Sequence, residues 1–188
     1  MPLVHLPVQS GSDKVLNLMN RKHTIKTYLN IFNKLKEINP RIEFSSDFII
    51  AYPGEDENDF RDTIKLIDEV KFINSFSFIF SPRPGTVASD LPTMDKIKAH
   101  ERLEIVQQKL FNNQINMNKS LEGTTVNVLV ENRTKDKSKL FARSEYMTSV
   151  LLKGSDNLIG KIVKAKIHNS NRNTLFGKVI EQSNKKVA

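Results

Sequence analysis

Three short stretches hold the residue types from which a ligand site could be built. In HLPVQSGSD, residues 5–13, an apolar run ends at Gln9, Ser10, Gly11 and Ser12. These offer amide and hydroxyl groups at the carboxyl end of a strand, where α/β proteins collect their ligands. Local chemistry alone favours a simpler reading, a β–α turn with a serine cap. In DFIIAYPGE, residues 47–55, Asp47 lies within a strand and Glu55 follows a Pro-Gly turn. A carboxylate at Asp47 suits a ribose hydroxyl or an ammonium group, and that reading stands level with a purely structural one. For Glu55 the favoured role is to complement the dipole of the helix that follows. In SPRPGT, residues 81–86, two prolines stiffen a loop that Gly85 turns. Arg83 is thereby held out on a rigid support suited to phosphate or carboxylate, level with an ordinary turn. His5 reads as a core or barrel-lining histidine rather than a catalyst.

Other chemistries are excluded by composition. The chain has no cysteine, which removes disulfides, Cys-ligated zinc, thiolate ligation of an iron–sulfur cluster and a Cys nucleophile. Its four histidines are scattered without metal-ligand spacing, and no Ser/His/Asp triad, P-loop or GxGxxG is present. No catalytic residue and no metal ligand is assigned. The longest apolar runs are too short to span a bilayer, and the N-terminus lacks a basic region before its apolar residues. The expectation is a cytoplasmic protein with no membrane partner.

Charge is unevenly placed. Residues 1–120 carry 16 Lys+Arg against 15 Asp+Glu, and residues 121–188 carry 13 against 6. A basic appendage on a nearly neutral body is the electrostatic footprint of nucleic-acid binding, against the plainer reading of a solvated Lys-rich surface. The candidate RNA contacts are Arg133, Lys135 and Lys137 in a loop, and Arg143, Lys161, Lys164 and Lys166 on or beside strands, with Phe141, Tyr146 and Phe176 as stacking platforms.

The elements that must position these residues follow a clear order. A strand over 3–8 leads to a short helix capped at Ser12 or Asp13 and running through Met19. A helix over 24–38 carries Tyr28, Leu29, Phe32, Leu35 and Ile38 on one face, and Pro40 ends it. A strand over 43–52, a helix over 57–70, a strand over 75–80 and a long helix over 94–118 complete a β-α-β-α-β-α run, the pattern of a parallel sheet. The periodicity then changes. Val126, Val128 and Val130 alternate, as do Val163, Ala165 and Ile167, and about five short strands between 125 and 180 predict a small OB-like β-barrel. Residues 182–188 read as a frayed tail.

Taken together, HLPVQSGSDKVLNLMNRKHT, DFIIAYPGEDENDF, FSFIFSPRPGT and the basic β-module resemble the radical-S-adenosylmethionine methylthiotransferases. Within that family the resemblance is to the MiaB-type tRNA branch, which adds a methylthio group to isopentenyl-adenosine beside the anticodon. It implies an α/β fold in two domains: a partial radical-SAM (β/α) barrel over 1–120, holding strands four to six, and a TRAM β-barrel over 121–184 that binds the tRNA anticodon stem-loop. It further implies that Gln9, Ser10 and Arg21 approach the ribose or methionine end of S-adenosylmethionine. Asp47, Ile49 and Ile50 would line the pocket, Phe78 to Ser81 flank the adenine, and Arg83 face substrate or cofactor. Ala51-Tyr52 stands where the family commonly has Gly-Phe, and Asp56 where it commonly has Thr.

The departure that matters most is the missing CxxxCxxC motif. The full-length family holds four-iron four-sulfur clusters, and this chain supplies no ligand for them. Three readings follow. The first is the C-terminal part of a tRNA methylthiotransferase, inactive alone and partnered by a cluster-bearing N-terminal half. The second is a stand-alone RNA-binding protein that uses the half barrel as a scaffold. The third, an unrelated α/β enzyme using Asp47 and His5, survives only if the resemblance is accidental.

Overall fold

A computed structural model describes residues 1–180; the tail expected over 182–188 lies outside them. The chain divides into two compact units, Leu3–Asn113 and the residues from Gln114 onward. The division falls within a continuous helix rather than at the 120/121 boundary expected from composition.

The first unit opens with β1 (Leu3–His5), α1 (Asp13–Leu18) and α2 (Ile25–Ile38). Both helices are started by a hydroxyl: Ser12 accepts from the Val15 amide, and Thr24 from the Thr27 amide. The single strand expected over 43–52 is two strands, β2 (Glu43–Ser45) and β3 (Asp47–Ile50). β2 pairs in parallel with β1, whereas β3 pairs in parallel with β4 (Phe76–Ile79). The changeover is at Ser46, whose amide donates to Ser75 Oγ at 2.9 Å while its own Oγ accepts from the Val8 amide at 2.9 Å. The chain after β1 nevertheless stays alongside β3, through Gln9 N to Asp47 O at 3.0 Å and Ile49 N to Gln9 O at 2.9 Å. The outcome is a short parallel sheet with its carboxyl ends at Gln9, Ala51 and Phe80.

Between β3 and β4 lies α3 (Glu57–Val70), started by a capping box in which Asp56 accepts from the Asp59 amide and Asp59 accepts from the Asp56 amide. The long helix α4 (Lys96–Ser120) follows the loop after β4. One face of the sheet is buried beneath helices in a core that includes Val8, Tyr28, Phe44, Phe48, Ile50, Phe60, Ile67, Phe72, Val106 and Leu110. Ile38, expected on the inward stripe of α2, is instead 79% exposed. At about 100° per residue it lies roughly 80° around the helix from Tyr28, on the edge of the stripe rather than within it.

The second unit is a closed barrel of β5 (Thr125–Arg133), β6 (Leu140–Ser144), β7 (Ser149–Lys153), β8 (Ile162–Ser170) and β9 (Thr174–Val179). Around the barrel their order is β5-β6-β7-β9-β8, with every pair antiparallel except β7 and β9. Period-2 alternation fills the interior: Val126, Val128, Val130, Leu140, Ala142, Val150, Leu152, Ala165, Ile167 and Leu175 are all buried. Gly177 faces inward, where a Cβ would come within 3.0 Å of the Lys166 carbonyl and 3.1 Å of Ile167 and Leu152, so glycine lets the strands close.

Candidate functional site

In the parallel sheet, alternation sorts the expected cofactor residues onto opposite faces. Asp47 and Ile49 are half-buried on one face, opposite Phe76 and Phe78 of β4. Ile50 is fully buried on the other face, inside the helix-covered core, so it does not line a pocket with Asp47 and Ile49 as expected. His5 belongs to the open face, with Nδ1 2.9 Å from Ser45 Oγ and Nε2 3.6 Å from Asp47 Oδ2. It lines that face rather than sitting in the core. Phe76 and Phe78 stack with centroids 6.5 Å apart and are 61% and 56% exposed.

The polar turn after β1 is tied to α3. Ser10 is buried, its Oγ 3.4 Å from Thr63 Oγ1 and accepting from the Ser12 amide at 3.2 Å. The Gly11 amide donates to Thr63 Oγ1 at 2.9 Å, and Ser12 Oγ donates to Asp59 at 2.6 Å. The Ser10 hydroxyl is therefore engaged within the fold and does not face a ligand as expected. Gln9 adopts a left-handed conformation, φ 75°, at the point where the chain leaves the sheet. Arg21 is exposed beyond α1.

Glu55 departs from its expected role at the helix start, because Asp56 is the cap. Glu55 is only 7% exposed, accepting from Arg102 at 2.6 Å and from the Ala51 amide at 3.2 Å. Burial pushes its carboxyl above the ordinary value, against the opposing pull of Arg102 and the Ala51 amide. Arg102, buried on α4, also donates to Glu57 at 3.0 Å and lies 4.8 Å from the centroid of the Phe60 ring. The pair clamps Ala51 in its left-handed conformation, φ 59°, at the carboxyl end of β3. Nothing in the local sequence around Glu55 signals a partner 47 residues away.

Beyond β4, Ser81 is exposed and borders a cleft of about 540 Å³ lined also by Ala51, Ile79, Phe80, Pro82, Met94 and His100. The Arg83 carbonyl accepts from the Thr86 amide at 3.2 Å and from its hydroxyl at 2.8 Å, closing the turn that carries the arginine. Gly85 has φ 82° with nothing near its missing side chain, so the turn needs glycine for its backbone and not for space.

The barrel's basic residues divide into engaged and open ones. Arg133 is paired with Asp156 and donates to the carbonyl of Lys137 at 3.2 Å. Arg143 lies 3.4 Å from Glu131, donates to the Met147 carbonyl at 3.3 Å and sits 5.3 Å from the Phe141 ring centroid. Tyr146 is buried and offers no stacking platform. By contrast Lys135 and Lys137 are exposed in the β5–β6 loop, and Lys166 is exposed on the barrel wall. Lys161 and Lys164 border a cleft of about 780 Å³ together with Lys153, a lysine absent from the sequence reading. Strand alternation from Val150 and Leu152 would have placed Lys153 outside.

Among the described residues no cluster of three or more His, Asp or Glu is arranged to hold a metal, and no helix is long and apolar enough to cross a membrane. With no thiolate in the chain, an iron–sulfur cluster does not fit here. Asp47 and Ile49 are half-buried on the open face of β3, Asp47 at the amino end of that strand, and Ser81 is exposed beyond the carboxyl end of β4.

Comparison with known proteins agrees with both units. The Radical SAM superfamily matches residues 1–67, and the TRAM domain matches residues 119–180. Among curated relatives, the tRNA-2-methylthio-N(6)-dimethylallyladenosine synthase of Pelagibacter ubique (strain HTCC1062) is 66% identical over 188 residues, covering 100% of this chain and 42% of the relative. The enzyme of that name from Ruthia magnifica subsp. Calyptogena magnifica is 47% identical over 178 residues, covering 94% and 40%. That of Rickettsia rickettsii (strain Sheila Smith) is 42% identical over 184 residues, covering 96% and 41%. The chain thus spans about two-fifths of the length of these relatives. A stretch that matches the Radical SAM superfamily, followed by a barrel that matches the TRAM domain, is the arrangement in which this chain is similar to those tRNA-2-methylthio-N(6)-dimethylallyladenosine synthases.

Proposed function

We propose that this chain completes the S-adenosylmethionine barrel of a tRNA methylthiotransferase and grips its tRNA, with the iron–sulfur clusters held outside these 188 residues. The observation that carries the reading is the 66% identity over the whole chain to an enzyme named for 2-methylthio-N(6)-dimethylallyladenosine synthesis in tRNA. Residues 1–120 then supply barrel strands four to six and residues 121–184 the RNA-binding domain, acting in the cytoplasm on the anticodon stem-loop. A four-iron four-sulfur cluster, when bound by its own polypeptide, supplies the electron that cleaves S-adenosylmethionine. The residues here bind and orient. Asp47 is placed for a ribose hydroxyl or the ammonium group, Ile49 packs against the cofactor, and the Gln9 turn and Ser81 bound it at the strand ends. Arg21 and Arg83 present guanidinium groups to carboxylate or phosphate. A self-contained barrel core also suits the runner-up reading, an RNA binder without catalysis.

Reconstitution tests the proposal. The chain is mixed with the N-terminal portion of the Pelagibacter relative, iron, sulfide, a reductant, S-adenosylmethionine and tRNA bearing dimethylallyladenosine, and the nucleosides are analysed by mass spectrometry. The methylthio product is expected only when both polypeptides are present. Cleavage of S-adenosylmethionine by this chain alone would overturn the assignment. No product from the mixture, with tRNA binding intact, would favour the non-catalytic reading.

A further inference from the structure

The residues at the surface of the barrel are in a register that the composition does not reveal. On β7, Leu151 and Lys153 are directed outward; on β9, Phe176 and Lys178; on β8, Lys166. Lys153 lies directly opposite Lys178, and Lys178 directly opposite Lys166, so three ammonium groups form a row across three adjacent strands. Two positions along, Leu151 lies opposite Phe176 and Phe141 opposite Leu151, forming a parallel row of apolar side chains. Directly opposed side chains in a sheet have Cβ atoms about 5 Å apart, and like charges in that position repel. The two arginines on β5 and β6 are balanced, Arg133 by Asp156 and Arg143 by Glu131. Among the described residues none of the three lysines has an acidic partner.

We propose that single-stranded RNA lies along this wall, its phosphates on Lys153, Lys178 and Lys166 and a base stacked on Phe176. The proposal rests on the tRNA-gripping reading and names the surface that does the gripping. The repulsion within the row is relieved by a polyanion, and the adjoining aromatic supplies what a purely acidic partner would not use. A hollow of about 160 Å³ beside Phe176 is bordered by Lys139, His168 and Lys178, and Lys139 Nζ lies 5.8 Å from the ring centroid. An unpaired loop of the anticodon stem-loop has the splayed bases such a surface takes.

The test uses the full chain and fluorescence anisotropy with three labelled probes: an anticodon stem-loop RNA, oligouridylate and polyglutamate. For wild type, RNA affinity is expected to fall steeply with salt and polyglutamate to bind far more weakly. In K153Q/K166Q/K178Q the slope of log K against log[salt] is expected to become shallower by about 2, since each phosphate contact to a single strand contributes about 0.7. The same variant, relieved of its repulsion, should melt no lower than wild type, which separates lost contacts from lost fold. Phe176→Leu is expected to lose affinity roughly tenfold with the slope unchanged. An unaltered slope in the triple variant, or polyglutamate binding as tight as RNA, would overturn the wall as the RNA surface. Failure of wild type to bind either RNA at low salt would instead remove the tRNA-gripping reading beneath it.

Discussion

Lys14 joins two acids that belong to a helix cap. Its Nζ lies 2.7 Å from Asp56 Oδ2 and 2.8 Å from Asp59 Oδ2, so α1 and the start of α3 are tied by one ammonium. The hydrogen bond from Lys14, followed by the backbone amide of Asp59, holds the Asp56 carboxyl down at about 2. A carboxyl lower in the folded state than in the unfolded one adds stability at pH values above its ordinary 3.8, and that stability is lost as pH falls toward 2. In Lys14→Met the Asp56 carboxyl returns toward its ordinary range. The melting temperature is expected to drop at neutral pH and to fall less steeply on acidification than in wild type. Thermal melts followed by circular dichroism across that interval check both parts, and parallel curves would refute the linkage.

Among the elements, the tightest approach is between the β1–α1 turn and α3. A Cβ at Gly11 would lie 2.4 Å from Thr63 Cα and 2.5 Å from the Asp62 carbonyl oxygen. Both are backbone atoms of a helix, unable to rotate aside, so Gly11→Ala must displace α3 from the turn. A loss of about 1–3 kcal/mol is expected, read from the urea midpoint. This close approach marks the limit of what the chain discloses before folding. The helix over 57–70 was legible because acids cluster at its start, where they favour a helix N-terminus, and Phe60, Ile64, Ile67 and Val70 follow as an apolar stripe; the structure places it at Glu57–Val70. The barrel strands were legible from period-2 alternation. The break at Ser46 was not, since residues on both sides of it are strand formers and only the change of neighbour from β1 to β4 divides them. Likewise Glu55 and Ser10 carry the types expected at a ligand site, but their partners Arg102 and Thr63 come from elements 47 and 53 residues away. Local pattern specifies elements; the engagement of a side chain depends on what the topology brings to it.

At the scale of the whole molecule, the two units differ in closure. The barrel has no free edge, whereas the parallel sheet has one face beneath helices and the other presenting Phe76, Phe78 and Ile49. Parallel sheets are ordinarily covered on both faces, and an exposed aromatic pair drives association. Replacing Phe76 and Phe78 together with Lys is therefore expected to lower self-association, measured by sedimentation at rising protein concentration. Equal association of variant and wild type would show that this face is not adhesive. The order of strands around the barrel also governs its synthesis. Because β9 is inserted between β7 and β8, the four earlier strands can pair without it only as an open sheet, β8-β5-β6-β7, with two bare edges. Lys153 stands on one of those edges and Lys164 and Lys166 on the other. Charge on an edge strand discourages a neighbouring nascent chain from adding to it. The lysines that end on the barrel's outer wall thus guard the unfinished domain until Thr174–Val179 arrives to close it.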